Sequence, residues 1–144
     1  MKNRNLIHSD DWSTPSYIYD KLNQRFNFDF DPCPLNYKID GLSQEWGKRN
    51  FVNPPYSRLL KEAFVKKGIE QAKQGKLCVF LLPVSTSTKL FHDVILPNIT
   101  QPIEFIRGRI KFIGYNTKGE LVADKSPMHD SMIVIFGNEE RNDK

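Results

Sequence analysis

The feature that most constrains the fold is a continuous apolar run, Leu77 to Leu82, which ends at Pro83. An all-apolar strand is typical of a sheet that is covered on both faces, because neither face then meets water. A shorter apolar segment, Phe51-Val52, comes before it, and residues 58–74 between the two have a helical pattern that closes at Gly75. A helix between two such strands predicts a βαβ unit with parallel pairing. The apolar face of this predicted helix consists of Leu60, Phe64, Val65, Ile69 and Ala72.

The sequence Asn53-Pro54-Pro55-Tyr56 follows the first of these strands directly. Two successive prolines have no N–H to donate, and each holds the residue before it in extended geometry. The carbonyl oxygens of Asn53 and Pro54, together with the Asn53 side-chain oxygen, then form a rigid corner rich in acceptors. Such a corner suits a ligand with an NH₂ group, and Tyr56 offers a flat face for stacking on a planar ring.

The N-terminal third is predicted to contain one helix. Thr14 is expected to be its N-cap, with Pro15 in the first turn. The apolar positions that follow at helical spacing are predicted to pack in the core, and they are Tyr17, Ile18, Leu22 and Phe26.

Residues Phe26 to Asp31 alternate aromatic and polar side chains, which predicts a strand with an acid at its carboxyl end. Open α/β sheets bind ligands at that end, so Asp31 is the leading candidate to accept hydrogen bonds from a cofactor. The alternative is that Asp31 only caps a turn. Residues 33–48 are predicted to form a loop with room for one short helical turn, and Asp40 and Glu45 within it are further candidates to accept a hydrogen bond from a ribose hydroxyl.

The segment Ser85 to Thr88 is predicted to cap a helix from Lys89 to Ile95, although a hydroxyl contact with substrate also remains open. Residues 114–130 are predicted to form a long loop, and loops of this length in a compact domain are often functional. A last apolar strand is predicted from Ser131 to Phe136.

Residues Ile103 to Ile113 are predicted to form a strand whose period-two alternation places Arg107, Arg109 and Lys111 on one face. A basic face of this kind is either a track for nucleic-acid phosphates or a solvated surface.

Composition is compatible with a single domain of 144 residues, with residues 1–11 and 138–144 as loose tails. The net charge of +4 and the pI near 9.1 agree with a polyanionic partner without requiring one. Cys33 and Cys78 lack metal-ligand spacing, so we expect reduced thiols and no metal site. No apolar run approaches the roughly 18 residues of a membrane span, and a cytoplasmic protein is expected.

The corner at Asn53 resembles the catalytic motif of the amino-methyltransferases. The wider chain, from about Trp12 to Phe136, is similar to the small phage-type DNA N6-adenine methyltransferases, the Dam-like family. Besides the corner, the segments that occur in the family's order are Trp12-Ser13-Thr14-Pro15, Phe28-Asp29-Phe30-Asp31-Pro32, Leu82-Pro83 with Thr86 and Thr88, and Gly108-Arg109-Ile110-Lys111-Phe112.

The resemblance implies an α/β fold, namely a reduced Rossmann-like class I S-adenosylmethionine-dependent methyltransferase domain. It also implies a site-specific adenine methyltransferase that uses S-adenosyl-L-methionine, takes DNA as its partner and flips the target base out of the stack. The implied catalytic residues are Asn53, Pro54, Pro55 and Tyr56. The implied cofactor contacts are Trp12, Thr14, Pro15, Asp31 and Asn53, with Trp12 alternatively a hydrophobic anchor. The basic residues implied to contact DNA are Arg107, Arg109 and Lys111.

Two rival functions stay open at this stage. A protein-glutamine N-methyltransferase uses the same acceptor-rich corner for a side-chain amide. A non-catalytic nucleic-acid-binding protein on the same fold would account for the absence of a glycine-rich cofactor loop. A cytosine-C5 mechanism through Cys33 is rejected, because the other motifs of that class are missing. The sequence leaves monomer and homodimer undecided.

Overall fold

The computed structural model of the chain describes residues 13–34, 40–55, 57–115, 118, 120–123 and 129–138. Within those ranges, no helix is both long and apolar enough to cross a bilayer. The helices are α1 (Ser16–Phe26), α2 (Arg58–Lys73), a π-helical segment (Leu90–Ile95) and a 3-10 turn (Leu96–Asn98). The strands are β1 (Arg49–Val52), β2 (Leu77–Pro83), β3 (Glu104–Phe105), β4 (Ile113–Tyr115), β5 (Leu121–Ala123) and β6 (Ser131–Phe136).

The main sheet has four strands in the order β1-β2-β6-β3. Strands β1 and β2 are parallel, with Arg49 opposite Leu77 and Val52 opposite Phe80, and α2 connects them. The predicted βαβ unit is therefore confirmed. The final apolar strand is also confirmed as β6, which pairs antiparallel with both β2 and β3.

Each face of the sheet carries its own apolar cluster, because successive side chains of a strand point to opposite faces. On one face, Phe80 and Leu82 of β2 pack with Phe64 and Val65 of α2. On the other face, Val79 and Leu81 pack with Phe26 of α1. All six residues from Leu77 to Leu82 are buried, as the apolar run predicted. Of the predicted α2 face, only Leu60 is exposed, at 41%.

The first predicted strand is largely wrong. Phe26 is the last residue of α1, and Asn27 ends that helix in the left-handed region with φ +57°. Asparagine tolerates this conformation and so favours a helix end over a strand. What remains of the strand is a parallel bridge between Phe30 and Asn50, beside β1.

The start of α1 also differs from its prediction. Pro15, not Thr14, is the N-cap residue, and no side chain caps the helix there. Tyr17 is 65% exposed and does not join the core, whereas Ile18 and Leu22 pack beside the buried Phe26.

The strand predicted from Ile103 to Ile113 is wrong for residues 106–112, which lie between β3 and β4. Gly108 has φ +78°, a conformation that interrupts an extended strand. Burial nevertheless alternates, because Ile110 and Phe112 are buried while Arg109 and Lys111 are exposed. The long loop predicted for residues 114–130 is also wrong in part, since β4 and β5 form an antiparallel pair there.

The connection before β1 is a compact turn region, as the sequence predicted for the described part of residues 33–48. Trp46 is 4% exposed and fixes this region to the sheet. Its indole N–H donates to the Gly41 carbonyl at 2.6 Å, and its backbone N–H donates to Gln71 Oε1 at 3.0 Å.

Candidate active site

A cavity of about 440 Å³ lies at the carboxyl ends of two neighbouring parallel segments, the Phe30 bridge and β1. Doubly wound sheets bind ligands at this edge, and the volume lies in the range of small-molecule sites. The residues that line it are Ser13, Thr14, Ser16, Tyr19, Asp20, Asp31, Cys33, Phe51, Asn53, Ile113 and Leu121. Three of the sequence-predicted site residues, Thr14, Asp31 and Asn53, are thus brought together.

Asn53 occupies the first position after β1 and is only 7% exposed. Its side-chain Nδ2 donates a hydrogen bond to Thr14 Oγ1 at 3.3 Å. This contact joins two residues that are 39 positions apart in the chain. A buried amide that is held by a hydroxyl has a restricted orientation, which is what a directional contact with a ligand requires.

Asp31 is half-buried at the cavity, and burial raises the pKa of its carboxyl from 3.8 to about 6. A hydrogen bond from the Cys33 backbone N–H to Oδ1, at 2.8 Å, opposes part of this shift. Asp31 therefore caps a turn, as the alternative interpretation predicted, and it also lines the cavity. Burial also raises the pKa of Tyr19, and the negative charges of Asp31 and Asp20 add to the increase.

The other two acids considered for the ribose lie elsewhere. Asp40 accepts a hydrogen bond from the Leu42 N–H at 3.0 Å and lines a separate cavity of about 200 Å³. Glu45 pairs with Lys76 at 3.0 Å. The tertiary structure thus selects Asp31 from the three candidates by position, while its role remains a prediction.

One wall of the cavity comes from a part of the chain that was expected to be a loop. The backbone N–H of Ser13 donates to the Ile113 carbonyl at 2.6 Å, and the N–H of Ile113 donates to the Ser13 carbonyl at 2.9 Å. These bonds fasten the segment before α1 to β4 and bring Leu121 of β5 to the cavity. The available signal was the polar, glycine-containing stretch between short apolar runs, which is typical of a hairpin.

Three other residues of the predicted site do not line the 440 Å³ cavity, and they are Pro15, Pro54 and Pro55. Pro54 and Pro55 are buried, and Pro55 lines the 200 Å³ cavity rather than the larger one. Pro15 is buried at the start of α1, where its carbonyl accepts hydrogen bonds from two N–H groups of the first turn. Trp12 and Tyr56 lie outside the described residues.

The three basic residues predicted to contact DNA are exposed, and they immediately precede β4. They are Arg107, Arg109 and Lys111. Arg109 Nε donates to Asp130 Oδ1 at 3.1 Å, so part of its charge is already compensated.

The capping interpretation of the hydroxyl cluster after β2 is confirmed at Thr88. Its Oγ1 accepts a hydrogen bond from the Phe91 N–H at 3.1 Å and donates to the Ser85 carbonyl at 3.0 Å.

The mixed α/β fold, with its ligand-sized cavity at one edge of the sheet, is consistent with a methyltransferase-like domain. Residues 3–142 match the family of DNA N-6-adenine-methyltransferases (Dam), and the chain belongs to that family. The DNA N-6-adenine-methyltransferase of Escherichia phage T1 is 34% identical, over an alignment that covers 75% of this chain. The same alignment covers 56% of the phage T1 protein, so the chain spans little more than half the length of that relative. The family assignment made from the motifs is confirmed.

Proposed function

We propose that this chain transfers a methyl group from S-adenosyl-L-methionine to N6 of adenine in DNA. The observation that carries the proposal is the convergence of Asn53, Thr14 and Asp31 on one cavity at the carboxyl edge of the sheet. Membership of the DNA N-6-adenine-methyltransferase family supports the substrate and the reacting atom.

We further propose that the sheet is a reduced doubly wound fold. A complete sheet of this kind has the order 3-2-1-4-5-6. The Phe30 segment, β1, β2 and β3 correspond in order to strands 1, 4, 5 and 6, with β6 inserted antiparallel before the last. Under this correspondence the cavity lies between strands 1 and 4, the switch point at which such sheets bind nucleotides.

The cavity has the chemistry that S-adenosylmethionine needs. Its volume of about 440 Å³ can enclose a nucleoside-sized ligand, and Tyr19 and Phe51 contribute aromatic surface beside the half-buried Asp31 carboxyl. We propose that ionised Asp31 accepts hydrogen bonds from a hydroxyl or the ammonium of the cofactor. When bound, the cofactor supplies an electrophilic methyl group on a positively charged sulfur.

Asn53 is the proposed catalytic residue. The adenine amine is a weak nucleophile because its lone pair is delocalised into the ring. Besides Nδ2, which donates to Thr14, the Asn53 side chain carries Oδ1, an acceptor that matches the N6–H donors. Hydrogen bonds from N6–H to Asn53 Oδ1 and to the Pro54 carbonyl favour a pyramidal nitrogen whose lone pair is available for the methyl group.

The N6 amine of a duplex is not accessible to this buried corner, so the target base has to leave the stack. In the proposed complex, the ring of Tyr56, the residue after the two prolines, stacks on the flipped adenine. The exposed residues Arg107, Arg109 and Lys111 contact phosphates nearby.

The test is to incubate the purified protein with S-adenosylmethionine and unmethylated duplex DNA, digest the DNA to nucleosides and quantify N6-methyladenine by mass spectrometry. Asn53→Ala should lower the methylation rate by about two to three orders of magnitude, as expected for loss of a transition-state contact. Gln24→Ala, which removes an exposed amide from α1, is the matched control and should retain full activity. An Asn53→Ala protein with undiminished activity would disprove the catalytic assignment.

A further inference from the structure

A second groove, of about 600 Å³, is larger than the cavity at Asn53. It lies between the first half of α2 and the π-helical segment, and the end of β2 contributes Leu82 and Pro83 to it. Its charged lining comes from Arg58, Lys61, Glu62, Lys66, Lys89 and Asp93.

The charges of this groove are unbalanced in favour of cations, with four basic residues against two carboxylates. In the part of the chain that the structure describes, none of the four forms an ion pair within 4.0 Å. The neighbouring Lys67 differs, since its Nζ lies 3.6 Å from Glu70 Oε1. Basic side chains that lie close together without carboxylate partners repel one another. An anion that binds between them relieves this repulsion and is therefore attracted.

The groove is adjacent to the proposed catalytic corner. Arg58 is the first residue of α2 and follows Asn53 by only five positions, and Pro83 ends the strand next to β1. Both binding regions therefore open on the carboxyl edge of the same sheet.

The basic residues of α2 are spaced for a chain of phosphates. At 1.5 Å per residue, Arg58 and Lys66 are about 12 Å apart along the helix axis. Measured along the axis of B-form DNA, where one strand advances 3.4 Å per charge, that length corresponds to about three to four nucleotides.

We propose that this groove binds the sugar-phosphate backbone of the DNA strand beside the flipped adenine. The proposal rests on the proposed function, and it assigns Arg58, Lys61, Lys66 and Lys89 as phosphate contacts. The groove lies on the face of the sheet that α2 covers, whereas Ile110, in the segment from Arg107 to Lys111, packs on the opposite face.

The experiment measures the salt dependence of binding to a fluorescein-labelled duplex, by anisotropy at several KCl concentrations. The groove variant is Lys61→Gln/Lys66→Gln/Lys89→Gln. The matched control, Lys21→Gln/Lys48→Gln/Lys73→Gln, loses the same charge from exposed positions that do not line the groove. Circular dichroism verifies that both variants are folded.

The groove variant should reduce the slope of log Kd against log[KCl] by about 2 to 3, since each phosphate contact contributes about 0.9. The control should change the slope by less than about 1. Equal slopes for the two variants would overturn the groove assignment.

The outcomes separate the two proposals. If the parent protein forms N6-methyladenine but the groove variant keeps the parental slope, only the groove assignment fails. If the slope falls as expected but the parent makes no N6-methyladenine, only the proposed function fails. A parent protein that binds no DNA contradicts both.

Discussion

The carboxyl of Asp31 is expected to destabilise the protein at neutral pH, and Asp31→Asn tests this directly. Burial at the cavity raises its pKa from 3.8 to about 6, which means that the ionised form is disfavoured in the folded state. At 1.36 kcal/mol per pKa unit, the shift corresponds to about 3 kcal/mol, and about 2 to 3 kcal/mol after partial solvent screening. Asparagine keeps the acceptor oxygen that receives the Cys33 N–H but carries no charge.

The sign follows from proton linkage. Between pH 3.8 and about 6, the folded state binds more protons at Asp31 than the unfolded state does, so stability falls as pH rises through this window. The full free-energy cost of ionising Asp31 is present above the folded-state pKa of about 6, and it disappears below the unfolded-state pKa of 3.8. We therefore expect Asp31→Asn to stabilise the protein by about 2 to 3 kcal/mol at pH 8 and by only about 1 kcal/mol at pH 4.5.

The assay is urea unfolding followed by circular dichroism at both pH values, with Asp93→Asn as a control at an exposed carboxylate. Calorimetric titration with S-adenosylmethionine at pH 8 gives the functional consequence. If ionised Asp31 binds the cofactor, the asparagine variant should raise the Kd by about tenfold or more, as for loss of a charge-assisted hydrogen bond. A variant that is less stable than the parent at pH 8, or whose stabilisation is the same at both pH values, would refute the argument.

Three further predictions concern other parts of the molecule. Thr14→Val should lower kcat by about tenfold because Asn53 Nδ2 loses its hydrogen bond to the Thr14 hydroxyl, whereas Thr14→Ser should retain the rate. Equal single-turnover rates for the two variants would contradict this. Gly68→Ala should lower the free energy of unfolding by about 1 to 2 kcal/mol, because a Cβ there would lie 2.4 Å from the Phe80 ring. This overpacking outweighs the gain in helix propensity. A urea titration that shows stabilisation would contradict the prediction. Glutamine at all three basic positions before β4 should flatten the salt dependence of DNA binding, and an unchanged slope would mean that Arg107, Arg109 and Lys111 form only a solvated surface.

Much of the fold was predictable because its strongest signals are local. The run from Leu77 to Leu82 identified a strand buried on both faces, and the helical pattern of residues 58–74 identified α2. Because a helix that links two adjacent strands implies a parallel crossover, the pairing of β1 with β2 followed without knowledge of any distant contact. The acceptor-rich corner at Asn53 was also visible, since the geometry of two successive prolines depends on their own rings.

Other features depended on partners far along the chain. The apolar pattern of β6 is compatible with several strand pairings. The sequence therefore did not predict that β6 lies between β2 and β3. Residues 106–112 alternate like a strand yet do not form one, because Gly108 turns the backbone after β3. Periodicity records which side chains are buried, and it does not record whether a neighbouring strand is present.

The composition of the site was decided by tertiary structure. The amino-acid sequence by itself determined that an Asn-Pro-Pro corner follows a parallel strand and that acids stand before it. Only the folded chain placed Thr14 against Asn53, brought Asp31 but neither Asp40 nor Glu45 to the cavity, and formed one wall of the cavity from β4 and β5. The physical reason is that a ligand site forms where strand ends and distant segments converge, and that convergence is set by long-range packing and pairing rather than by local propensity.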